Sequence, residues 1–527
     1  MSEVQGVDDG APRRRHRPAR RFLAWVRPQH AAPGETPRMW RVWISAPLVV
    51  AAAGGVAYLI YLQLRDAAPP VVVPGQPPAV NTLEVVKTTI SVAAFIGAVL
   101  AGLYAYRKQR LTEADSLRAD AVQLAQRYTT AAEQLGHVQP AVRLAGVYAM
   151  ARLADDWEEQ RQSCIDVLCA YLRMSARTHQ QVGPDDAGEL EVRDTIQRRI
   201  AEHLRPSKGA VDWTDHEFDL DNTTLHELAF DSIVCHRRMS FSGATFTGDA
   251  RFDHATFCVD ARFDGAKFDG EIRFDEANFL GATRFDNATL KGGARFDHAR
   301  LTGDVRFDGA TFGASERFDH ATFGGGVRFD HVTFGGAARF DHATFGGLAR
   351  FDPATFTADA GFEDATFAKD CGFEGATFQD AWFDGAKFCG DARFGNATFQ
   401  NARFDDATFT RFAGFRSGAV SGSVGFIGTA FVGDAEFAGG TFVDARFGNA
   451  TFARNARFDS VTFGDARFSR ATFAVVPTVY GMKNTKRSEL SGTPFHTWPD
   501  VRGPATLAGS PGVGAAGDSS AVDDGST

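Results

Sequence analysis

The 527-residue sequence contains few of the residues and motifs that form disulfide bonds or reactive sites. Its six cysteines, at positions 164, 169, 235, 258, 371 and 389, show no paired framework, so free thiols in a reducing compartment are the simplest interpretation. The sequence also contains no nucleophile elbow, phosphate-binding loop, HExxH or CxxC motif. These absences disfavour an enzyme, and we predict no catalytic residue, no metal site and no cofactor.

The aromatic composition is strongly biased, with 47 Phe and only eight Tyr. Such a bias indicates one repeated use of Phe rather than a mixed core. The chain is also long for a single domain. Its net charge of −9 is concentrated in the segment Phe241–Phe473, which has 24 basic and 32 acidic residues.

The first 106 residues predict a membrane anchor. Residues 1–41 are rich in Arg and Pro without an apolar period, which is typical of a disordered tail. Two uncharged runs follow, Val42–Leu64 and Thr88–Tyr106, each about long enough to cross a bilayer. Basic residues precede the first run and follow the second, so the positive-inside rule places both termini in the cytoplasm.

We therefore predict a two-span hairpin at the cell membrane over residues 42–106, with the membrane as a partner. A cleaved signal peptide is the alternative, and the long basic lead and the second run disfavour it. The runs carry no ionisable residue, so they predict an anchor rather than a transporter.

Residues 107–204 show helical spacing and predict a small α-helical connector. Its helices resemble a HEAT/armadillo-like pair, most of all in the stretch "AVRLAGVYAMARLA", Ala141–Ala154. The connector is either a spacer that packs on the end of the next domain or a peptide-binding groove.

Phe recurs from Phe241 onward in alternating steps of five and six residues, a period of 11. Near Phe373–Phe388 the six-residue steps become fives. A five-residue step excludes a helix, because the Phe side chains would spiral around all of its faces. A small residue, usually Ala, lies two positions before most Phe, and both would point into a narrow tube. A short fixed period of this kind predicts a solenoid.

The units "ATFTG", "ARFDH" and "ARFDG" resemble those of the pentapeptide-repeat family, Ala-(Asp/Asn)-(Leu/Phe)-X-X. The resemblance covers about Phe218–Phe473 and implies a right-handed quadrilateral β-helix with four short sides per coil. We expect about eleven coils of about 22 residues, with the extra residues accommodated as corner bulges. The helical connector also resembles that of membrane-anchored actinobacterial members.

The predicted fold is thus mainly β, a pentapeptide-repeat solenoid over 218–473 preceded by two transmembrane helices and the helical connector. Residues 474–527 predict a largely disordered tail. Glycine-rich corners such as Gly324–Gly326 suit turns that need positive φ. The representative inward side chains are Phe252, Phe257, Phe263, Phe268, Phe329, Phe334, Phe340 and Phe345.

The Arg residues beside these Phe would point outward and stack on successive coils. One such row, the arginine ladder, comprises Arg251, Arg273, Arg295, Arg317 and Arg339. Asp residues two positions further on would form a neighbouring row that neutralises the Arg charges. Each exposed ion pair would contribute only about 0–1 kcal/mol.

Asp-His pairs raise the hypothesis of a metal array, because His follows Asp at positions 254, 298, 320, 331 and 342. His298, His320 and His342 would stack on successive coils, but an outward row of three offers no closed ligand set. We interpret them as solvated corner residues. Rows of Thr raise an ice-binding alternative, yet Lys267 interrupts them, and Thr is a good outward strand residue.

The sequence favours a membrane-anchored, cytoplasm-facing scaffold whose rigid surface binds a protein partner that the sequence does not identify. The alternative is a DNA-mimicking protein that binds topoisomerase, as some members of the family do. Mimicry requires a strongly acidic rod, whereas Arg rows lie among the Asp residues here. The same balance disfavours nucleic acid as a partner. No small-molecule substrate is predicted.

Overall fold

The computed structural model describes residues 82–175, 186–206 and 211–484, with a few isolated positions between 51 and 75. The chain divides into two compact units, Met1–Asp120 and Ala121–Thr527. The predicted tail 1–41 lies outside the described residues, as does the part of the predicted tail 474–527 beyond residue 484. Residues 474–484 are described and end in the strand Lys483–Asn484, which pairs with the preceding coil.

The first long helix, α1 (Thr82–Leu135, 54 residues), contains the second uncharged run. Within the part of the chain that the structure describes, no helix has both the length and the apolar character that crossing a membrane requires. The prediction of two transmembrane helices, Val42–Leu64 and Thr88–Tyr106, is therefore wrong. The prediction relied on the absence of charged residues in Thr88–Tyr106, but about half of this run is Ala, Gly, Ser or Thr. The run is therefore less apolar than its lack of charge suggested. Most of Val42–Leu64 lies outside the described residues.

Three further helices follow in the second unit: α2 (Pro140–Asp156), α3 (Arg161–Ser175) and α4 (Asp186–Leu204), with a 3₁₀ turn at Glu158–Gln160. Pro140 opens α2, where its missing N–H would have no intrahelical partner. The end of α1 and these helices share a buried apolar cluster, which includes Leu135, Val147, Met150, Leu153, Ile165, Leu168, Leu172, Val192, Ile196, Ile200 and Leu204.

The helices pack against the first coil of the solenoid through polar and aromatic contacts. The buried Trp213 ring stacks on His203 with a centroid distance of 4.0 Å, and its Nε1–H donates to Asp155 Oδ1 at 3.0 Å. Arg173 pairs with Asp219 Oδ2 at 3.0 Å. The helices thus lie against the end of the solenoid, where an uncovered coil would expose unpaired strands.

Parallel strands form a right-handed β-solenoid of about twelve turns. Each coil passes in chain order over four faces. Faces 1 and 4 are separate sheets of twelve strands, whereas faces 2 and 3 join in one 20-stranded sheet. The predicted solenoid agrees with this structure, which has about one turn more than the eleven coils expected from the sequence.

The strands of face 1 are Phe218–Asp219, Met239–Ser240, Ala261–Arg262, Thr283–Arg284, Val305–Arg306, Val327–Arg328, Ala349–Arg350, Cys371–Gly372, Ala392–Arg393, Ala413–Gly414, Ala435–Glu436 and Ala456–Arg457. Those of face 4 are Val234–Cys235, Thr256–Phe257, Asn278–Phe279, Arg300–Leu301, Thr322–Phe323, Thr344–Phe345, Thr366–Phe367, Lys387–Phe388, Thr408–Phe409, Ala430–Phe431, Thr451–Phe452 and Thr472–Phe473.

Face 2 begins with Thr224–Leu225, Thr245–Phe246, Lys267–Phe268, Thr289–Leu290, Thr311–Phe312, Thr333–Phe334 and Thr355–Phe356. Face 3 begins with Leu228–Ala229, Ala250–Arg251, Ile272–Arg273, Ala294–Arg295, Glu316–Arg317, Ala338–Arg339 and Ala360–Gly361. Continuous strands then serve both faces: Thr377–Trp382, Thr398–Arg403, Ala419–Gly425, Thr441–Arg446 and Thr462–Arg467, with Lys483–Asn484 last.

Two kinds of corner alternate around each coil. After faces 1 and 3 comes a tight turn, as at Phe340–Ala343, where Ala343 N–H donates to the Phe340 carbonyl at 3.1 Å. The third residue of that turn, His342, has φ +58°, which is typical of a type II turn. Sixteen non-glycine residues among those described have φ between 54° and 60°, and nearly all of them hold this turn position.

The glycine-rich corners have a different cause from the one predicted. Gly324–Gly326 do not have positive φ; in the described coils that conformation occurs at the tight turns and, among the glycine-rich corners, at Gly293 with φ +96°. At Gly325 a Cβ would lie 2.6 Å from the carbonyl carbon of Gly303 in the preceding coil. Glycine is therefore needed there because adjacent coils approach closely.

The extra residues of the long coils lie in the corners after faces 2 and 4. From Thr377 onward, a five-residue step after face 2 lets the strand run straight through the corner, as in Thr377–Trp382, and that coil has 21 residues. A six-residue step separates the two strands in the earlier coils, whereas Ala419–Gly425 stays one strand with an extra residue. Between Thr398–Arg403 and Ala419–Gly425 the register shifts, and here the predicted bulge is confirmed.

Candidate interaction surface

The interior of the solenoid is a set of stacked Phe rings. The eight Phe named in the sequence prediction are at most 2% exposed. Rings of successive coils stack, such as Phe329 on Phe351 at 4.8 Å, and rings of opposite faces meet edge to face, such as Phe329 and Phe340 at 5.6 Å. Both geometries suit aromatic rings. The interior therefore leaves the outward side chains as the part of the solenoid that can meet a partner.

The arginine ladder lies on face 3 with its members in register from coil to coil. From Arg273 to Arg339 each Arg contacts the Asp of its own coil and the Asp of the preceding coil, and Arg251 contacts Asp231 of the preceding coil. Arg317 Nη2 lies 2.9 Å from Asp297 Oδ2 and 3.6 Å from Asp319 Oδ2, and Arg339 continues the pattern. A second ladder of the same kind, on face 1, contains Arg306, Arg328 and Arg350.

The Asp residues have a structural task that the sequence prediction missed. Asp297 accepts the backbone N–H of Asp319 through Oδ1 at 3.2 Å while Oδ2 receives Arg317. The same bond recurs from Asp319 to Asp341. Asp297 is only 7% exposed, and burial raises its pKa, with Arg317 acting in the opposite direction. Each Asp thus ties one tight turn to the next, and the 22-residue spacing of Asp at the second turn position could have revealed it.

We call the tight-turn edge after face 3 the histidine corner; it carries His298, His320 and His342. Their rings stack at 4.7 Å and 4.8 Å, within 7° of parallel, and the side chains are exposed. His254 lies two coils before this row beside Glu276, at 3.4 Å. His331 lies on the opposite corner, after face 1. The structure therefore brings three of the five sequence-identified His together in one row.

A metal interpretation of these His finds no support. Among the described residues, no cluster of His, Cys, Asp or Glu has the arrangement of a metal site. The cysteines are free thiols, and burial raises the pKa of Cys164 to about 11 and that of Cys169 to about 12. Such thiols are poor nucleophiles at neutral pH.

Glu316 is a second residue that the sequence prediction missed. It holds an inward position of face 3 between Ala294 and Ala338, is fully buried, and neither of its carboxyl oxygens has a hydrogen-bond partner. Burial raises its pKa to about 8. The signal was available, because small or apolar residues otherwise recur at this position every 22 residues.

A comparison with protein-family models matches residues 230–277, 263–311, 274–322, 296–344, 329–377 and 373–418 to "Pentapeptide repeats (9 copies)". Residues 230–418, about a third of the chain, are thus similar to the pentapeptide-repeat family. The match confirms the family resemblance but does not extend to the predicted membrane-anchored actinobacterial type. No curated protein matches the chain. The outward rows of the pentapeptide-repeat solenoid, above all the histidine corner and the arginine ladder, form its candidate interaction surface.

Proposed function

We propose that the chain is a non-enzymatic scaffold whose pentapeptide-repeat solenoid binds a protein partner through its outward rows. The observation that carries this proposal is the repetition of the same outward side chains in register over successive coils of a Phe-filled interior. Long regular solenoid surfaces bind partners by extended contact. The family assignment supports the same function.

The predicted alternative, DNA mimicry directed at a topoisomerase, receives less support. A mimic needs uncompensated acidic rows, whereas the Asp rows beside faces 1 and 3 are covered by Arg at distances of 2.7–3.7 Å. For the same reason nucleic acid is not proposed as a partner. The predicted cell-membrane location, with both termini in the cytoplasm, stays an untested prediction. Binding through the solenoid surface does not require a membrane anchor.

Site-specific photo-crosslinking in the cells that make the protein tests the scaffold function. A photoreactive residue replaces one outward residue per face within one coil: Arg328, Thr333, Arg339 or Thr344. We expect a defined protein to be captured from one face or from two adjacent faces, as identified by mass spectrometry. Failure of all four positions to capture a protein would overturn the proposal.

A further inference from the structure

A shallow trough of about 580 Å³ runs along the histidine corner. Its lining carries the three stacked imidazoles, three guanidinium groups of the arginine ladder and six carboxylates. With neutral imidazoles the lining has a net charge of −3. Four of the carboxylates belong to the Asp row, which the Arg residues largely neutralise. The exposed Glu276 and Glu363 supply the rest of the negative charge.

The tight turns fix the backbone of each His in the row. His298, His320 and His342 have φ of 58–59°, and the backbone N–H of each donates to an Asp or Glu carbonyl of the next coil at 2.8–2.9 Å. The rings are consequently repeated at the coil spacing. A neutral imidazole offers a lone pair to an N–H donor, whereas a protonated imidazole only donates.

Charged groups surround this row on every side. Glu276 precedes it by one coil, and Asp364 follows it, with its carboxylate 3.8 Å from His342. The Asp row and the arginine ladder flank it within the trough. Three added protons would bring the net charge of the lining from −3 to zero. They would also place three positive rings less than 5 Å apart.

We propose that the histidine corner is a docking surface for a cationic, Arg- or Lys-rich segment of the partner protein, and that protonation of the histidine row releases this segment. The proposal rests on the scaffold function proposed above and specifies which surface serves it. At neutral pH the trough offers negative charge together with imidazole lone pairs, which suit guanidinium and ammonium donors. Protonation of the three imidazoles removes both attractions, because the net negative charge of the lining falls to zero and the acceptor lone pairs are lost.

The test measures binding of a fluorescein-labelled peptide of alternating Arg and Ser to the full-length protein by fluorescence anisotropy, at pH 7.5 and 5.5 and constant ionic strength. We expect saturable binding at pH 7.5 and a dissociation constant at least tenfold higher at pH 5.5. No binding at pH 7.5, or equal affinity at both pH values, would overturn the proposal.

The decisive variant replaces the whole row, His298→Asn, His320→Asn and His342→Asn together. Asn is compatible with this turn, since Asn287 and Asn396 hold the same position with φ +56°. We expect the variant to lose the pH dependence of peptide binding. His331→Asn is the matched control, because His331 has the same turn geometry on the opposite corner.

The control should behave like the wild type. A pH dependence that persists in the triple variant, or that His331→Asn also removes, would contradict the assignment to the histidine corner. If the peptide fails to bind while photo-crosslinking still captures a protein, the docking proposal fails and the scaffold function stands.

Discussion

Single residues determine where this solenoid turns and where it is weak. Most tight turns place a residue with positive φ at the third position, and the sequence supplies His, Asn, Asp, Ser or Gly at most of them; Pro353 holds one such position without positive φ. The sequence prediction recognised these His as corner residues from their 22-residue spacing. It assigned positive φ to the wrong glycines, because composition alone does not distinguish a left-handed backbone from a close approach between coils.

The turn requirement gives a first prediction. Asn287 has φ +56°, and glycine holds the same position at Gly265 and Gly309 in the adjacent coils. Asn287→Val should lower the free energy of unfolding by roughly 1–2 kcal/mol, because a β-branched residue is strained in this region. Asn287→Gly should change the free energy of unfolding by only a few tenths of the amount expected for Asn287→Val. Chemical denaturation measures both, and equal effects of the two substitutions would contradict the turn assignment.

Glu316 gives a second prediction, which concerns pH. Its pKa is about 8 in the folded protein against 4.5 for an unperturbed Glu, so the folded state holds the proton more tightly than the unfolded state. The stability that this proton confers is complete below about pH 4.5 and is lost as the pH rises to about 8, at no more than about 1.4 kcal/mol per pH unit.

Glu316→Ala places Ala at an inward position of face 3 where the neighbouring coils also have Ala. The substitution should remove the loss of stability that accompanies rising pH. We expect its melting temperature to exceed that of the wild type by a margin that grows between pH 5 and 8. The exposed Glu363 provides the control, since Glu363→Ala should show no such growing margin. If the melting temperature of Glu316→Ala exceeds that of the wild type by the same margin at every pH, the buried carboxyl does not titrate as stated.

At the scale of elements, the repeat period determined most of the architecture. Alternating five- and six-residue steps of Phe and Ala are enough to predict short strands with inward Phe and outward Arg. The sequence did not predict how a corner accommodates the sixth residue of a step. A corner can either form a bulge within one strand or separate two strands, and which of these occurs depends on contacts with the neighbouring coils. The membrane spans were wrong because lack of charge in Thr88–Tyr106 was equated with apolar character.

The corner glycines give a prediction at this scale. Gly325→Ala would place Cβ 2.6 Å from the Gly303 backbone and should lower the free energy of unfolding by about 1–3 kcal/mol. In the adjacent Gly326 the nearest atom would lie 3.5 Å away, so Gly326→Ala should cost less than about 0.5 kcal/mol. Denaturant titration of both variants checks the difference. A reversed order of stability would contradict the coil contact.

At the scale of the whole molecule, the solenoid presents four long rows of outward residues that differ from face to face. Residues 22 apart lie on the same face, whereas residues 11 apart lie on opposite faces. The sequence could predict this geometry, since it follows from the period. The same period carried signals for Asp297 as a link between turns and for the inward position of Glu316, and the sequence prediction missed both. The missing hydrogen-bond partners of Glu316 depend on contacts between coils and do not follow from the period.

The central claim, that function resides on one side of the solenoid, at the histidine corner and the two faces that border it, is tested most directly by the spacing of partner crosslinks. Photoreactive residues are introduced one at a time on face 2 at Thr311, Thr333 and Thr355 and on face 4 at Thr322, Thr344 and Thr366. The same series is made on face 3 at Arg295, Arg317 and Arg339 and on face 1 at Arg306, Arg328 and Arg350.

We expect crosslinks to recur every 22 residues, strongest on face 3 and on face 4, which border the histidine corner, and to be absent from face 1. Crosslinks that recur every 11 residues, or that are equally strong on all four faces, would contradict the claim.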